Sequence, residues 1–195
     1  MAKKTAKKTA KPTLAQRIAQ NKKDAERAKN IISRNGQKLF KEAVKEIFKE
    51  FKNLEKFQWN QYTPNWNDGD PCDFGLYTDS LAINDECGKD YDEIESTWNL
   101  EHLHKLLSDK ENEKKRILKE IKEKAGNSWE VESLKRDLKS IKNREPKEVE
   151  GKFKIKKTIT YVLENIDESV FERMFGEGTV TVTRDGITVE ECEHD

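Results

Sequence analysis

The chain has 195 residues, of which 39% are charged and 33% hydrophobic, and its 38 basic side chains are balanced by 38 acidic ones. Such a composition can bury only a modest core, which favours one compact body with appendages. No apolar run approaches the ~20 residues that a membrane helix needs, so a membrane-spanning protein is not expected.

Cysteine usage points to the interior of a cell. The three cysteines, Cys72, Cys87 and Cys192, are irregularly spaced, and the basic N-terminus has no apolar segment behind it that would make a secretory signal. Free thiols in a reducing cytoplasm are therefore expected.

The charge is distributed in blocks. Residues 1–56 carry 17 basic and 6 acidic side chains, whereas residues 57–99 carry 10 acidic and one basic, and residues 164–195 carry 10 acidic and two basic. This pattern predicts a basic N-terminal part and a body with an acidic surface.

The N-terminus, MAKKTAKKTAKP, is a Lys-rich repeat without a side chain that could form a core, so residues 1–13 are predicted to be a disordered basic tail. It can be a solubilising tail or an electrostatic arm for nucleic acid. The lysines that would contact phosphates are Lys3, Lys4, Lys7, Lys8 and Lys11.

Two helices are expected next. Residues 14–36 are predicted to form a charged, weakly amphipathic helix that Asn35-Gly36 ends. Residues 37–55 form the clearest helix, because large apolar residues recur every three or four positions and require one buried face. These apolar residues are Phe40, Val44, Ile47, Phe51 and Leu54.

Residues 57–63 and 73–84 show the texture of two strands joined by a turn at residues 67–70. In the first strand, Phe57, Trp59 and Gln61 share one face. An acidic loop follows, from Asn84 to Glu95.

Residues 96–149 are predicted to form an antiparallel helical hairpin, with one helix from Thr97 to Ala125 and a second that begins at a capping box, Asn127 to Glu130. The apolar stripes are narrow, so the hairpin is expected to project from the body, or to pair as a coiled coil with residues 14–33 or with another copy of itself. The stripe residues are Leu100, Leu103, Leu107, Ile117, Ile121, Val131, Leu134, Leu138 and Ile141.

After a linker at residues 145–151, the apolar residues between 153 and 166 fit either a strand or a helix, and the helix is favoured. Asp167 can cap a short helix that Gly176 ends. The C-terminus reads as two strands around Asp185-Gly186, which favours a type I′ hairpin.

Together these elements predict an α+β fold, a small antiparallel sheet packed by amphipathic helices with a projecting helical hairpin. The expected units are a tail (1–13), a charged helix (14–36), an α+β body (37–95 with 150–195) and a hairpin insertion (96–149).

The stretch WNQYTPNWNDGDPC, residues 59–72, concentrates most of the unusual residue types. Its aromatic residues can bury themselves against the helix at 40–54, in which case the stretch is structural. Alternatively, aromatic, amide and carboxylate side chains on a rigid loop form a recognition surface. The residues of that predicted binding surface are Trp59, Gln61, Tyr62, Trp66, Asn67, Asp68 and Asp70.

A catalytic or metal-binding loop is the third interpretation. Asp68, Asp70 and Asp73 could hold a hard cation, but their spacing departs from the calcium-loop pattern. Cys72 could form a nucleophilic pair with His102 or His104. No phosphate loop, nucleophile elbow or zinc-protease motif occurs, so no metal, no cofactor and no catalytic residue is predicted.

The W-x-Q-Y-T-P run with N-D-G-D-P-C behind it, and the closing FGEGTVTVTRDGITVEECEHD, resemble a group of uncharacterised proteins of tailed bacteriophages. The resemblance covers residues 37–85 and 153–195. It implies no reaction, but it implies a protein made in the cytoplasm of an infected bacterial host.

Three functions fit these observations. The first, which is the favoured one, is a non-enzymatic interaction protein that acts on a host or phage protein. The second is a nucleic-acid-associated protein that uses the Lys-rich arm. The third is a small hydrolase that uses the loop at residues 68–73.

Overall fold

The computed structural model describes residues 13–65, 72–124 and 128–191, and confirms the α+β fold. Four antiparallel strands form one sheet in the order β2-β1-β3-β4. The strands are β1 (Lys56–Tyr62), β2 (Gly75–Ile83), β3 (Gly178–Thr183) and β4 (Ile187–Glu190). The helices are α1 (Leu14–Glu50), α2 (Thr97–Ser108), α3 (Lys110–Glu123), α4 (Ser128–Asn143), α5 (Pro146–Asn165) and α6 (Glu168–Phe175).

The sheet is built as the sequence predicts. The first strand lies at its centre and pairs with β2 on one side and with β3 on the other. Trp59 lies opposite Val180, and Phe57 lies opposite Val182 and Ile83, so apolar side chains of three strands meet on one face. Alternation of apolar and polar residues sets this register, since a one-residue slip would turn the apolar side chains to the other face.

The first hydrophobic core lies between this face of the sheet and helices α1, α5 and α6. Trp59 is its centre, with no exposed surface, and its ring contacts four phenylalanine rings at centroid distances of 6.0 to 6.2 Å. Three of these contacts are edge-to-face and the one with Phe57 is stacked, and aromatic packing of both kinds adds to the free energy gained by burial alone. The four rings are those of Phe40, Phe57, Phe171 and Phe175.

The predicted helix break at Asn35-Gly36 is wrong. Helix α1 runs without interruption from Leu14 to Glu50. A Cβ atom built on Gly36 would lie 2.5 Å from a methyl carbon of Val170, so the glycine allows α6 to approach α1 closely. The residue serves helix packing here and does not end the helix.

The predicted single helix at 97–125 is also wrong, because it is divided at Asp109, whose φ of −134° and ψ of 61° are not helical. The division lets both halves turn their apolar residues into a second hydrophobic core shared with α4 and α5. This core contains Leu100, Leu103, Leu106, Leu107, Ile117, Ile141 and Val149.

Residues 145–151 are not a linker. Pro146 occupies the first turn of α5, where its missing N–H group costs nothing. The predicted boundary at residue 149/150 therefore falls inside a helix. Val149 and Phe153 of α5 pack in the second core, so the helical hairpin does not project as a free arm.

Helix α5 joins the two cores. Its later residues, Ile155, Ile159 and Leu163, belong to the first core. The helix interpretation of residues 153–166 is thus confirmed. Asp167 caps α6 by accepting a hydrogen bond from the Ser169 N–H, and Gly176, with φ of 67°, ends that helix as expected.

A buried ion pair lies beside α5. Lys156 has no exposed surface, and its ammonium group donates to Glu86 at 2.7 Å and to the Glu95 carbonyl at 2.5 Å. Lys152 lies 3.5 Å from Glu86 and 3.6 Å from the Glu95 carboxylate. Burial lowers the pKa of Lys156, while the hydrogen bond that its ammonium group donates to Glu86 opposes that effect.

The C-terminal hairpin forms, but its turn is not type I′. That turn needs positive φ at two residues, and neither Asp185 nor Gly186 has it. The Thr183 hydroxyl instead accepts hydrogen bonds from the N–H groups of both residues. The turn thereby presents Arg184 toward the C-terminal end of α1.

Arg184 closes the end of α1. Its guanidinium donates to the carbonyl groups of Phe48 at 3.0 Å and Leu54 at 2.9 Å, and also to those of Phe51 and Lys52. Carbonyl groups in the last turn of a helix lack partners within the helix. Phe48 lies in that last turn and the other three residues follow it directly, so a single side chain binds the end of α1 and ties the C-terminal hairpin to it.

Replacing Arg184 with Ala should lower the free energy of unfolding by about 2 kcal/mol, because charge-assisted hydrogen bonds to these carbonyls are lost. Urea unfolding followed by circular dichroism measures this. The matched control is Arg173→Ala, which removes one exposed hydrogen bond to Asn30 and should cost less than about 0.5 kcal/mol. Equal effects of the two substitutions would contradict the capping role.

Replacing Glu86 with Ala should cost about 3 kcal/mol or more, because Lys156 is left buried without its carboxylate. The double variant Glu86→Leu/Lys156→Met should regain most of that loss, since two apolar side chains need no partner. The same unfolding measurement tests both. Lys89→Ala, which breaks an exposed pair with Asp85, is the control and should have almost no effect. A double variant as unstable as Glu86→Ala would refute the explanation.

Candidate functional site

Two residues of the predicted binding surface are buried, so their assignment to an exposed surface is wrong. Trp59 and Gln61 both have 0% exposure. The Trp59 indole N–H donates to the Gln61 side-chain oxygen at 3.0 Å. The Gln61 amide nitrogen donates to the Gly176 carbonyl at 2.6 Å and the Phe171 carbonyl at 3.3 Å. These bonds connect β1 to the end of α6, which confirms the structural interpretation for this pair.

Tyr62 lies at the other face of the sheet and is partly exposed. Its ring stacks on that of Tyr77, with centroids 4.2 Å apart and an interplanar angle of 13°. Burial and the neighbouring Tyr62 raise the pKa of the Tyr77 phenol. The predicted surface residues Trp66, Asn67, Asp68 and Asp70 lie outside the described part of the chain.

The same face of the sheet is polar. The Thr179 hydroxyl donates to the Asn60 side chain at 2.9 Å, and the Thr181 hydroxyl donates to Gln58 at 3.4 Å. These side chains bond to one another across the strands. They form a partly exposed hydrogen-bonding surface next to the tyrosine stack.

The described residues show no arrangement typical of a catalytic or metal site. No group of three His, Cys, Asp or Glu side chains in ranges 13–65, 72–124 and 128–191 could hold a metal ion. Asp73 is exposed. Cys87 is partly buried, and burial raises the pKa of its thiol to about 11, the opposite of what a nucleophilic cysteine requires.

A groove of about 580 Å³ runs between α2 and α4. Leu103 and Leu106 contribute apolar surface to its wall. His102 and Asp137 approach across it to 3.6 Å, which is longer than a hydrogen bond. Trp98, which is 73% exposed, lies at its edge and stacks on the His102 ring. The groove can accommodate an apolar group with polar surroundings.

The most exposed element is the N-terminal half of α1. Every side chain described between Thr13 and Ile32 is exposed, and burial begins only at Ser33. At 1.5 Å per residue the exposed part is about 28 Å long. Because its second half is anchored in the first core, this segment is a continuation of a well-packed helix.

One face of α1 carries a continuous row of basic side chains. At 3.6 residues per turn, six exposed lysines and arginines fall within about 60° around the helix axis and extend along about 33 Å. We call this row the basic face. Its members are Lys23, Arg27, Arg34, Lys38, Lys41 and Lys45.

The basic face keeps most of its charge available. Arg27 lies 3.4 Å from Asp24, and Lys38 lies 3.8 Å from Glu42. Both pairs are exposed, so they are weak and screened by salt. With the lysines of residues 1–12, the segment 1–32 has 10 basic and two acidic side chains, a net charge of +8.

Sequence reasoning missed the basic face because it ended the first helix at residues 35–36. That break separates Lys23 and Arg27 from Lys38 and Lys41, so the row appears as two unrelated groups. A helical projection of the basic residues across 23–45 would have revealed it. The Lys-rich arm itself lies outside the described residues.

Comparisons of the chain with protein-family models, with curated proteins and with solved structures found no match. The resemblance to the bacteriophage group therefore stays a prediction. Among the residues that the structure describes, no helix is both long and apolar enough to cross a membrane.

Cys87 should react with iodoacetamide about a hundredfold more slowly at pH 8 than a thiol of pKa 9, because only the thiolate reacts and its pKa is about 11. The rate should rise about tenfold per pH unit until pH 11. Since the folded chain keeps this proton at higher pH than the unfolded chain, stability should fall between pH 9 and 11.

Peptide mapping by mass spectrometry follows Cys87 and Cys72 separately in the same sample. In urea, where burial is lost, the two cysteines should react at similar rates, which serves as the control. Equal rates in the folded protein at pH 8 would show that Cys87 is not protected.

Proposed function

We propose that this protein is a non-enzymatic nucleic-acid-associated protein that binds the phosphate backbone through the basic face of α1 and the lysines of residues 1–12. One observation carries the proposal, the alignment of six exposed basic side chains along about 33 Å of a single helix. A basic stripe along one helix is the electrostatic footprint expected of such proteins.

The geometry suits a polyanion. Double-stranded DNA presents one negative charge per ~1.7 Å of axis, so a helix face of this length can meet several phosphates at once. Lysine and arginine contacts to phosphates position a protein without reading bases. We therefore expect binding that is independent of sequence and that weakens steeply with salt.

The structure alters the balance between the candidate functions. A protein-binding surface at residues 59–70 loses Trp59 and Gln61 to the core. The helical hairpin, which was expected to project, packs into a core of its own. Most of the predicted hydrolase loop, residues 68–73, lies outside the described part of the chain, and Asp73 at its end is exposed. The exposed basic helix remains as the best-supported binding element.

A second candidate function is an interaction protein that contacts a host or phage protein in the cytoplasm of an infected bacterium. The groove beside Trp98 favours it, because an exposed tryptophan at the edge of a groove with both apolar and polar walls is a typical binding hot spot. Nuclease treatment during affinity purification separates the two functions. A partner that survives nuclease and is lost with Trp98→Ala would support this candidate.

Replacing Lys23 and Lys41 with Gln should weaken binding to a duplex of about 20 base pairs roughly tenfold at low salt, and should reduce the slope of log K against log salt by about 2. Fluorescence anisotropy between about 50 and 200 mM salt measures both quantities. The matched control is Lys22→Gln/Lys29→Gln, which removes the same charge from another face of the same helix.

The control should weaken binding by less than about threefold and keep most of the slope of log K against log salt, since it changes only the overall electrostatic field of the protein. Equal effects of the two double variants would show that net charge and not the basic face is responsible. Deletion of residues 1–12 measures how much the Lys-rich arm contributes to the binding affinity. Failure of the full chain to bind at 50 mM salt would refute the proposed function.

A further inference from the structure

We propose that the exposed N-terminal half of α1 is also a homodimerisation element, which pairs in parallel with the same helix of a second copy of this chain. The pairing would use a face of α1 other than the basic face. It does not depend on nucleic-acid binding.

Six apolar residues and two asparagines recur on α1 with alternating steps of four and three, the repeat that a two-stranded coiled coil requires. Four of them are large and exposed, at 71% for Leu14, 50% for Ile18, 52% for Ile32 and 55% for Leu39. We call this row the apolar stripe. Its eight positions are Leu14, Ile18, Asn21, Ala25, Ala28, Ile32, Asn35 and Leu39.

The body of the protein leaves the apolar stripe accessible. The buried face of α1 is centred on Phe40 and Ile47, about a quarter turn away from the stripe at 3.6 residues per turn. Helix α6 approaches at Gly36, yet Ile32 and Leu39 beside it remain half exposed. The centre of the basic face lies about 140° from that of the stripe around the helix axis, so pairing through the stripe would leave both basic faces accessible.

The two asparagines select the second copy and its orientation. In a parallel, in-register pair each asparagine meets its own counterpart, and two amides can exchange hydrogen bonds. In the antiparallel arrangement that aligns the stripe, Asn21 would meet Ile32 and Asn35 would meet Ile18, which leaves amides against apolar groups. Polar residues at such positions fix register at a cost in stability.

The flanking charges agree with this partner. In the parallel pair, Asp24 of each copy lies beside Lys29 of the other, which gives two attractive contacts. Arg17 lies beside Lys22 and gives two repulsive ones. The charges therefore nearly cancel, and the apolar stripe decides the association. Because two stripe positions are alanine, the dimer should be reversible and dependent on concentration.

Sedimentation equilibrium on the nucleic-acid-free full chain tests the proposal. The monomer mass is 22.8 kDa, and the wild type should move toward twice that mass between about 5 and 500 µM. Ile32→Lys, which places a charge in the stripe, should raise the dissociation constant at least tenfold. Ala19→Lys is the matched control, because it adds the same charge to the same exposed half of α1 at a position that faces away from the stripe.

The Ala19→Lys variant should dimerise as the wild type does, and circular dichroism should show equal helix content in both variants. A wild type that stays monomeric, or equal effects of the two substitutions, would overturn the proposal. Either result would leave the salt-dependent binding of nucleic acid unaffected, so failure of one proposal is distinguishable from failure of the other.

Cysteine cross-linking tests the orientation. With the three native cysteines replaced by serine, Asn21→Cys should form a disulfide between two copies readily, because the parallel pair brings both thiols together. Lys23→Cys, on the outward face, should cross-link slowly. Equal rates for the two positions would overturn the parallel register.

Discussion

Helix α5 is shared by two hydrophobic cores, and the rest of the structure depends on that sharing. Its first turns pack Val149 and Phe153 with α2, α3 and α4, and its later turns pack Ile159 and Leu163 against the sheet. Lys156 lies between these two contacts and is held by Glu86, on the loop that leaves β2. Neither core can be completed without this helix, which couples the stability of the sheet to that of the helical unit.

Helix α1 also serves two purposes, one in each half. Its second half supplies Phe40, Ile47 and other residues to the first core, and Arg184 closes its end. The first half then extends from an anchored base with a defined direction. Such an anchor matters because starting a helix is unfavourable and most helical stability in proteins comes from tertiary packing. The body thus provides a rigid support from which two chemically different faces, one basic and one apolar, are presented to other molecules.

The sequence predicts well what depends on near neighbours. Alternation identifies the strands, and Asp167 and Gly176 mark α6 through local hydrogen bonding and backbone geometry. It fails where a distant residue decides the outcome. Gly36 continues a helix because Val170 packs on it, and Glu86 can be buried because Lys156 meets it. The candidate site was likewise predicted only in part. Strand periodicity places Trp59 and Gln61 on one face of the sheet, but only the packing of α6 shows that this face is the buried one.

The exposed half of α1 belongs to a basic N-terminal part of the chain, and the rest of the chain is acidic. Residues 1–32 hold a net charge of +8, and since the whole chain is neutral, residues 33–195 hold −8. A helix with few tertiary contacts opens locally at lower cost than a packed core, and transiently opened segments are where proteases cut. A single cleavage near residue 32 would leave both cores intact while converting a neutral protein into a strongly acidic one. One proteolytic event could thereby change the electrostatic character of the molecule without unfolding it.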